Sequence, residues 1–317
     1  MGVDAPILPA PPPVDRRPWL GYAMAMAAAL LWAVNGTVVK VIQESAGMSS
    51  LRLVELRNTF AFLGLFLAIV LVRPSLLRVS RRELPFLAVF GVAGLALVQW
   101  LYLVAIHRMP IGIALIVEYV GIVFVALWAR FVYREPVRRR VWAALVLALA
   151  GLALVVELWS GLVLDGVGLA AASAAAVVLA AYFLMAEHEV GRRDPMSLVC
   201  YGFLFGALFW ALVQPWWSFP AGLLGETVPL LGNLDGVDLP VWALVAYMVV
   251  LGTIVPFALM VGALRHVAAT RAGIVAMLEP VAASVVAWLW LGESLGAPQL
   301  LGGAVVLGGI ALAQTAR

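Results

Sequence analysis

Apolar residues occur in long runs, and short polar gaps separate these runs along almost the whole chain. A hydrocarbon core of about 30 Å is crossed by about 20 helical residues, and most of the runs come close to that length. The predicted spans cover 20–41, 51–72, 84–105, 111–133, 141–157, 167–187, 197–215, 241–264, 269–291 and 298–315. The pattern therefore predicts an all-α membrane protein with ten transmembrane helices.

Positive charge is distributed unevenly between the polar gaps. Of the 20 Lys and Arg residues, 16 lie in one alternate set of gaps and chain ends, and three (Lys40, Arg52 and Arg108) lie in the other set. Lys and Arg concentrate in cytoplasmic loops, so this asymmetry predicts that both termini are cytoplasmic. The expected location is a plasma membrane of the bacterial inner-membrane type, with residues 1–19 as a disordered cytoplasmic tail.

The composition excludes a soluble domain, because 65% of the 317 residues are hydrophobic and little polar surface is left to face water. The formal net charge of +3 comes from Arg residues at the ends of the spans, where they meet anionic lipid headgroups. Membrane lipids are therefore expected partners, and nucleic acid is not.

Disulfide, metal and cofactor chemistry find no support in the sequence. Cys200 is the only cysteine and lies within a span, which excludes an internal disulfide and a cysteine-based metal site. The three histidines, His107, His188 and His266, lie in loops on different sides of the predicted bundle. GxSxG, Walker A and GxGxxG motifs are absent from the sequence. We therefore expect no cofactor and do not favour an enzyme.

The two halves of the chain resemble each other when one is shifted by 158 residues. Without gaps, 105–154 then aligns with 263–312 at ten identical positions, one of which pairs Glu135 with Glu293. Each half has an odd number of spans, so related halves would lie inverted in the membrane, as in many secondary transporters. The alternative is coincidence in a chain rich in Ala, Leu, Val and Gly.

The C-terminal third carries a distinctive motif. Its residues are Gly273-Ile274-Val275-Ala276-Met277-Leu278-Glu279-Pro280-Val281, then Ala287-Trp288-Leu289, Leu291-Gly292-Glu293-Ser294-Leu295, Gly302-Gly303 and Gly308-Gly309. This stretch resembles the EamA family of the drug/metabolite transporter superfamily, and Trp32, Arg57 and 114–135 resemble the same pattern in the first half. In that half the family's usual Pro is replaced near Gly121, and Arg134 stands where the family has Gly.

The resemblance implies a chain built from two inverted five-helix repeats, which we expect at 20–157 and 167–315, with an outer loop at 158–166. It also implies a secondary transporter of small metabolites, most often an exporter. Such a protein would rock one repeat against the other and expose a central cavity to each side in turn.

Charged side chains inside the spans are the first candidates for a binding site, since each costs about 2.5–3.5 kcal/mol to insert and usually faces a cavity or a partner. Arg57 and Glu118 lie at similar depths in the second and fourth spans, and Asn35 and Gln99 reach comparable heights from the other side. Arg57 could instead tie helices together through backbone carbonyls or Glu118, and Asn35 and Gln99 could hydrogen-bond between helices. Glu55 lies near the outer edge and is expected to reach water.

The candidate site is completed by aromatic residues and a second acid. Trp32 shares a helix face with Asn35, and Tyr102 shares one with Gln99. Glu279 precedes Pro280 near the middle of the ninth span. The predicted substrate-binding residues are Trp32, Asn35, Arg57, Gln99, Tyr102, Glu118, Tyr119 and Glu279.

The sequence thus favours an alternating-access transporter that exports small polar or amphipathic metabolites such as amino acids. An intramembrane lipid-modifying enzyme and a lipid scramblase are the alternatives. Glu118 or Glu279 would carry a proton in a proton-coupled antiporter, whereas facilitated diffusion needs no coupling ion. The oligomeric state is left open by the sequence.

Overall fold

The computed structural model describes residues 17–108, 111–157, 165–294 and 296–315. Most of the predicted tail and of the predicted outer loop lies outside these residues, as does the side chain of His107. The first helix begins at Pro18, where proline is favoured because its missing N–H would be unpaired in any case. The last residues of the predicted tail are therefore helical.

Ten membrane helices follow one another along the described chain. Their bounds are α1 Pro18–Ala46, α2 Ser50–Val72, α3 Leu84–Val89 continuing through Phe90–Leu97 and Val98–Arg108, α4 Ile111–Tyr119 and Gly121–Phe131, α5 Arg139–Val155, α6 Gly166–Glu189, α7 Pro195–Val213, α8 Val241–Val249 continuing through Val250–Ile254 and Val255–Ala263, α9 Ala269–Ala276 and Leu278–Leu291, and α10 Ala297–Thr315. Nine of them, all except the 17-residue α5, are long and apolar enough to cross a membrane. The prediction of an all-α membrane protein with about ten helices is confirmed.

The long connection between α7 and α8 holds the only strands in the described part of the chain. β1 (Thr227–Pro229) pairs antiparallel with β2 (Asp238–Pro240). Short 3₁₀ turns at Trp216–Ser218, Ala221–Gly225 and Gly232–Leu234 complete the connection.

Two helices contain a π-helical segment at corresponding places. The segment is Phe90–Leu97 in α3 and Val250–Ile254 in α8. The 158-residue shift that aligns the two halves of the sequence places the second segment on residues 92–96 of the first. Such segments interrupt the regular hydrogen-bond ladder and occur frequently at functional sites.

Two further helices are interrupted near their middles, again at corresponding places. α4 breaks at Val120 and α9 breaks at Met277, and the shift of 158 residues brings these positions within one residue of each other. Interrupted helices of this kind surround the binding sites of many secondary transporters.

The same two helices end with the same backbone turn. Arg134 after α4 and Gly292 after α9 adopt left-handed conformations, with φ of 56° and 73°. The next residue in each case, Glu135 or Glu293, donates its N–H to a carbonyl six residues earlier, at 3.0 Å and 3.3 Å. Both bonds span one residue more than the hydrogen bond of a Schellman cap. The left-handed position before each is normally a glycine, because a Cβ is disfavoured there.

Arg134→Gly is expected to stabilise the folded protein, because glycine adopts the left-handed conformation that costs another residue about 1–2 kcal/mol. The measurement is the midpoint of thermal unfolding in detergent without added lipid, and the variant should have the higher midpoint. Gly292→Ala is the matched control and should lower the midpoint. A lower midpoint for Arg134→Gly would show that contacts of the arginine side chain stabilise the folded protein by more than its left-handed backbone conformation destabilises it.

α5 and α10 pack against each other along their length through small residues. A Cβ on Gly151 would lie 2.7 Å from the carbonyl oxygen of Gly302, and a Cβ on Gly309 would lie 2.9 Å from that of Ala144. The 158-residue shift converts Gly151 into Gly309 and Ala144 into Gly302, so the two contacts are equivalent. The contact pattern is that of a two-fold axis between the two helices.

The other helices form two groups that correspond in the same way. α1 packs against α8 and α9, whereas α6 packs against α3 and α4. α2 packs against α7. Each group therefore combines one helix from one half of the chain with two from the other.

The bundle has two distinguishable ends. At one end, which we call the arginine-rich face, Arg193 forms an ion pair with Glu83, and Arg265 lies 3.5 Å from Asp194. At the other end, the opposite face, Lys40 lies 3.2 Å from Glu293. The connections around residues 73–83, 190–194 and 264–268 meet at the arginine-rich face, and those around 47–49, 214–240 and 292–296 meet at the opposite face.

Candidate functional site

Arg57 joins α2 to the π-helical segment of α8. Its Nε donates to Thr253 Oγ1 at 3.0 Å, and a terminal guanidinium nitrogen lies 3.4 Å from the carbonyl oxygen of Gly252. The Thr253 hydroxyl in turn donates to the carbonyl of Met248 at 2.8 Å. The irregular ladder of α8 thus supplies the acceptors that orient the guanidinium.

Asn35 contacts the same segment from α1. A Cβ added to Gly252 would lie 1.9 Å from Asn35 Oδ1, so glycine is required for this approach. Asn35 is buried, and its Oδ1 has no hydrogen-bond partner among the residues that the structure describes. Asn35 and Arg57 therefore meet at Gly252 from two different helices.

Tyr119 bridges the interruptions of α4 and α9. Pro280 has no N–H, so the carbonyl of Ala276 lacks the partner that a regular helix would give it. The Tyr119 hydroxyl lies 3.0 Å from that carbonyl oxygen and 3.0 Å from Glu279 Oε2. A side chain of one half of the chain thus occupies the hydrogen-bonding position vacated by a proline in the other half.

The Tyr119 hydroxyl has a single proton to donate. If that proton is given to the Ala276 carbonyl, a hydrogen bond to Glu279 requires a protonated carboxyl as the donor. If Glu279 is ionised, it competes with the carbonyl for the same proton. The geometry therefore links the protonation of Glu279 to the contact that closes the break in α9.

Glu279 lies at the centre of a group of charged and polar side chains. It interacts electrostatically with Arg57, Glu118, Tyr102 and Tyr119. Arg57, Glu118 and Glu279 are all half-buried. Two carboxyl groups and one guanidinium therefore line the space between α2, α4 and α9.

An aromatic cluster lies on the arginine-rich side of this layer. Trp32 packs edge-on against Phe257, with ring centroids 5.2 Å apart. Phe257 also contacts Phe203 at 5.4 Å and Tyr182 at 6.0 Å. Trp32 is one turn below Asn35 on α1, so the cluster separates the polar layer from the arginine-rich face.

Gln99 differs from the other candidates because its side chain donates to its own helix. Its Nε2 donates to the carbonyl of Leu95 in the π-helical segment of α3, at 2.7 Å. Its Oε1 has no hydrogen-bond partner within the described residues. Tyr102, one turn further along α3, is the residue of this helix that interacts with the acids.

The expectation that Glu55 reaches water is wrong. Its side chain is fully buried and accepts a hydrogen bond from Arg52 at 2.6 Å. Arg52 also donates to Ser218 Oγ at 2.6 Å and lies 5.9 Å from the centre of the Phe219 ring. The connection after α7 covers this end of α2, a long-range contact that depth along one helix does not reveal.

The two helix groups contact each other mainly on the arginine-rich side of the polar layer. A Cβ on Gly273 of α9 would lie 2.5 Å from Ile122 of α4, and the Glu187 carboxylate of α6 accepts the Ala269 N–H of α9 at 2.8 Å. Beyond the breaks, α4 packs against α6 and α9 packs against α1. These contacts between the two groups therefore lie on the arginine-rich side of the polar layer.

Gly252 and Thr253 did not emerge as candidates from the sequence. Both are small and occur often in membrane helices, where they commonly serve packing. The available signal was their position shortly before Pro256 in the middle of a span. Neither the π-helical segment nor the approach of Arg57 follows from that position alone.

Tyr119→Phe is expected to lower the free energy of unfolding by about 1–3 kcal/mol, because the Ala276 carbonyl would lose its partner. Tyr182→Phe is the matched control, since the buried Tyr182 hydroxyl has no hydrogen-bond partner in the described part of the chain. Thermal unfolding in detergent should show a drop for the first variant and none for the second. Equal midpoints would show that the Tyr119 hydroxyl does not support the break.

The ten-helix bundle, its interrupted helices and its half-buried polar layer are typical of an integral membrane transporter. The model of the EamA-like transporter family matches residues 19–157 and again residues 166–315. The chain belongs to this family, within the drug/metabolite transporter superfamily. Its family and its relatives are transporters and not enzymes, so an intramembrane lipid-modifying enzyme is excluded as an alternative.

Several relatives match over most of the chain. A protein of Archaeoglobus fulgidus named "Uncharacterized transporter" is 29% identical, with 90% of this chain and 95% of the relative covered. The threonine/homoserine exporter RhtA of Escherichia coli K12 is 28% identical, with 80% of each chain covered. One solved crystal structure superimposes with a TM-score of 0.74 at 18% identity, covering 92% of this chain and 96% of the other, which supports the fold alone.

Proposed function

We propose that the protein is a secondary transporter that moves small zwitterionic metabolites such as amino acids across the plasma membrane by alternating access. The observation that carries this proposal is the joint presence of one guanidinium and two carboxyl groups in a half-buried layer between helix groups. A guanidinium pairs with a substrate carboxylate, and a carboxylate pairs with a substrate ammonium. The threonine/homoserine exporter among the relatives acts on compounds of this class.

Each candidate residue has a distinct role in this proposal. Arg57 binds the substrate carboxylate, and Glu118 and Glu279 bind the ammonium group. Asn35 supports the site beside Arg57: its buried Oδ1 lies against Gly252 and has no hydrogen-bond partner among the described residues. The remaining candidates shape the site: Trp32, Tyr102 and Tyr119 form its walls, and Gln99 acts indirectly by holding the π-helical segment of α3.

Alternating access is supported by the unequal packing of the two ends. The contacts of Ile122 with Gly273 and of Glu187 with Ala269 join the helix groups on the arginine-rich side of the polar layer. We infer that this is an outward-facing state. In the inward-facing state the Ile122–Gly273 contact opens and the two groups close beyond Glu118 and Glu279.

The proposed architecture is two inverted five-helix repeats, 20–157 and 167–315, joined by an outer loop at 158–166, and each moving group takes helices from both repeats. The equivalent π-helical segments, helix breaks and glycine contacts support them. The arginine-rich face is assigned to the cytoplasm by its excess of positive charge, together with both termini. Export is the proposed direction, supported by the threonine/homoserine exporter among the relatives.

Labelling of single cysteines tests this orientation. In a Cys200→Ser background, cysteines replacing Arg138 and Gly236 should react with a membrane-impermeant thiol reagent from opposite sides of the membrane. Inverted accessibility would reverse the assignment of the two faces. Labelling of both from one side would contradict the proposed topology.

Proton coupling is part of the proposal and concerns Glu279. When Glu279 is protonated, it donates to Tyr119, which donates to the Ala276 carbonyl; loss of the proton weakens this contact. Exchange of a proton for substrate at Glu279 would therefore favour movement at the α9 break. Flux that is independent of an imposed pH gradient would indicate facilitated diffusion instead.

Counterflow in proteoliposomes tests the central claim. Vesicles loaded with an unlabelled amino acid should accumulate the labelled compound from outside, with threonine as the first probe and the other common amino acids as a panel. Arg57→Gln should strongly reduce the accumulation at substrate concentrations near the dissociation constant of the unaltered protein. Lipid scrambling without counterflow of any amino acid would support the scramblase alternative and overturn the proposal.

A further inference from the structure

An apolar crevice lies on the outside of the bundle near the arginine-rich face, separate from the polar layer. Its volume is about 560 Å³, and it is bounded by α3, α4 and α6. Its lining is mostly apolar and includes Phe124, Trp128, Tyr133, Val177, Ala181 and His188. Since the helices cross a membrane, this crevice opens toward lipid.

The lining changes character along the membrane normal. Phe124 of α4 and Val177 of α6 lie at the deep end and are purely apolar. Tyr133 and His188 lie at the ends of the same helices and bring polar atoms to the mouth. Trp128 packs against Tyr133, with ring centroids 6.5 Å apart. An apolar interior below a polar mouth matches the division of a phospholipid into acyl chain and headgroup.

Positive charge exceeds negative charge near this mouth, where the carboxylates of Glu135 and Glu187 also interact electrostatically with Tyr133. Arg130 and Arg134 flank Tyr133 in the sequence, and Arg138, Arg139 and Arg140 follow at the start of α5. All five side chains are exposed, and none forms an ion pair with another of the described residues. Basic pockets between membrane helices bind anionic lipid headgroups.

Arg134 is retained at a backbone position that favours glycine. Its φ of 56° corresponds to the φ of 73° at Gly292, the equivalent residue of the second half. The chain thus places a cation beside the crevice at a cost in backbone energy. Among the described residues, no hydrogen bond or ion pair of the Arg134 side chain offsets this cost.

We propose that the crevice binds one anionic phospholipid from the leaflet at the arginine-rich face. One acyl chain lies between α3, α4 and α6, and the phosphate contacts Arg130 and Arg134. The lipid fills the groove between α4 and α6, two helices of the same group, and so stabilises that group as a unit.

Native mass spectrometry of the full chain in detergent tests the proposal, with phosphatidylglycerol and phosphatidylcholine of identical acyl chains as probes. The protein should retain one phosphatidylglycerol with at least about tenfold preference over phosphatidylcholine. Arg130→Gln with Arg134→Gln should remove this preference. Arg81→Gln with Arg82→Gln removes the same charge from another exposed stretch at this face and should leave the preference intact.

Two crevice-filling variants test the acyl-chain contact. Val177→Phe and Ala181→Phe should each weaken binding of phosphatidylglycerol at least about tenfold. The unfolding midpoint in lipid-free detergent should stay unchanged. Val177 is 58% exposed, so a larger side chain there does not disturb the core. Equal losses from both arginine pairs would show that net charge alone attracts the lipid. Unchanged binding in both filled variants would show that no chain enters the crevice, and either result overturns the proposal.

Discussion

Arg57→Gln is expected to weaken substrate binding by about tenfold to a hundredfold, the most severe loss of binding predicted for any single side chain of the site. The guanidinium is held by Thr253 at 3.0 Å and by the Gly252 carbonyl at 3.4 Å. Its remaining N–H groups have no hydrogen bond to another described residue and can bind a carboxylate in the half-buried polar layer. Hydrogen bonds to a charged group contribute about 1.5–3 kcal/mol each, which sets the expected range.

The measurement is the equilibrium binding of a transported amino acid to purified protein, with counterflow as the functional readout. Arg57→Lys keeps the charge but lacks the planar fork, so it should retain part of the binding. Arg52→Gln is the control on the same helix, because Arg52 is ion-paired to Glu55 at 2.6 Å away from the polar layer. It should lower stability while leaving the dissociation constant unchanged. Full binding by Arg57→Gln would remove Arg57 from the site.

The sequence predicted the class of fold because a bilayer constrains composition strongly. Runs of about 20 apolar residues and an alternating excess of arginine are signals that local packing does not obscure. The bounds of individual helices were harder to predict. α1 continues to Ala46, beyond its predicted end at residue 41, because the helix emerges from the membrane and ends only at the left-handed Gly47. Hydropathy does not register such an extension.

The candidate site was predicted in outline, and its connections were not. The depth of each residue along its span predicted that Arg57 and Glu118 lie in one layer. The charged group with which Arg57 interacts is instead the Glu279 carboxylate. Helix rotation and the π-helical segment of α8 decide that contact, and neither is a local property of the sequence. Gln99 shows the same limit, since its donor is occupied by its own helix at Leu95. A polar side chain at the right depth need not face the cavity.

Tyr119 illustrates a relation that sequence reasoning can recover once its physical basis is known. Pro280 predicts an unpartnered carbonyl four residues earlier, at Ala276. A hydroxyl must then be sought on a neighbouring helix, and Tyr119 lies at the equivalent break in the other half of the chain. The pairing of a proline with a distant hydroxyl is therefore a testable rule for chains built from two such halves.

Gly151→Val is expected to prevent assembly of a stable bundle, or to lower the unfolding midpoint more than any other variant considered. Even the Cβ of the new side chain would lie 2.7 Å from both the Gly302 carbonyl oxygen and the Val306 nitrogen. These are backbone atoms within helices and cannot move away as a flexible side chain would. Overpacking of a well-packed contact costs about 1–3 kcal/mol when side chains can adjust, and more when backbones must separate.

Gly308→Val is the matched control, because a Cβ there meets no atom within 4 Å on the same helix α10. The measurement is the yield of monodisperse protein in detergent together with its thermal midpoint. Gly302→Val should reproduce the effect of Gly151→Val, since a Cβ on Gly302 would lie 2.6 Å from the Gly151 carbonyl oxygen. The two halves of the chain meet along the contact between α5 and α10. Separating these helices therefore disrupts the packing that relates the two halves. Normal stability of both variants would mean that the close approach of these helices is dispensable.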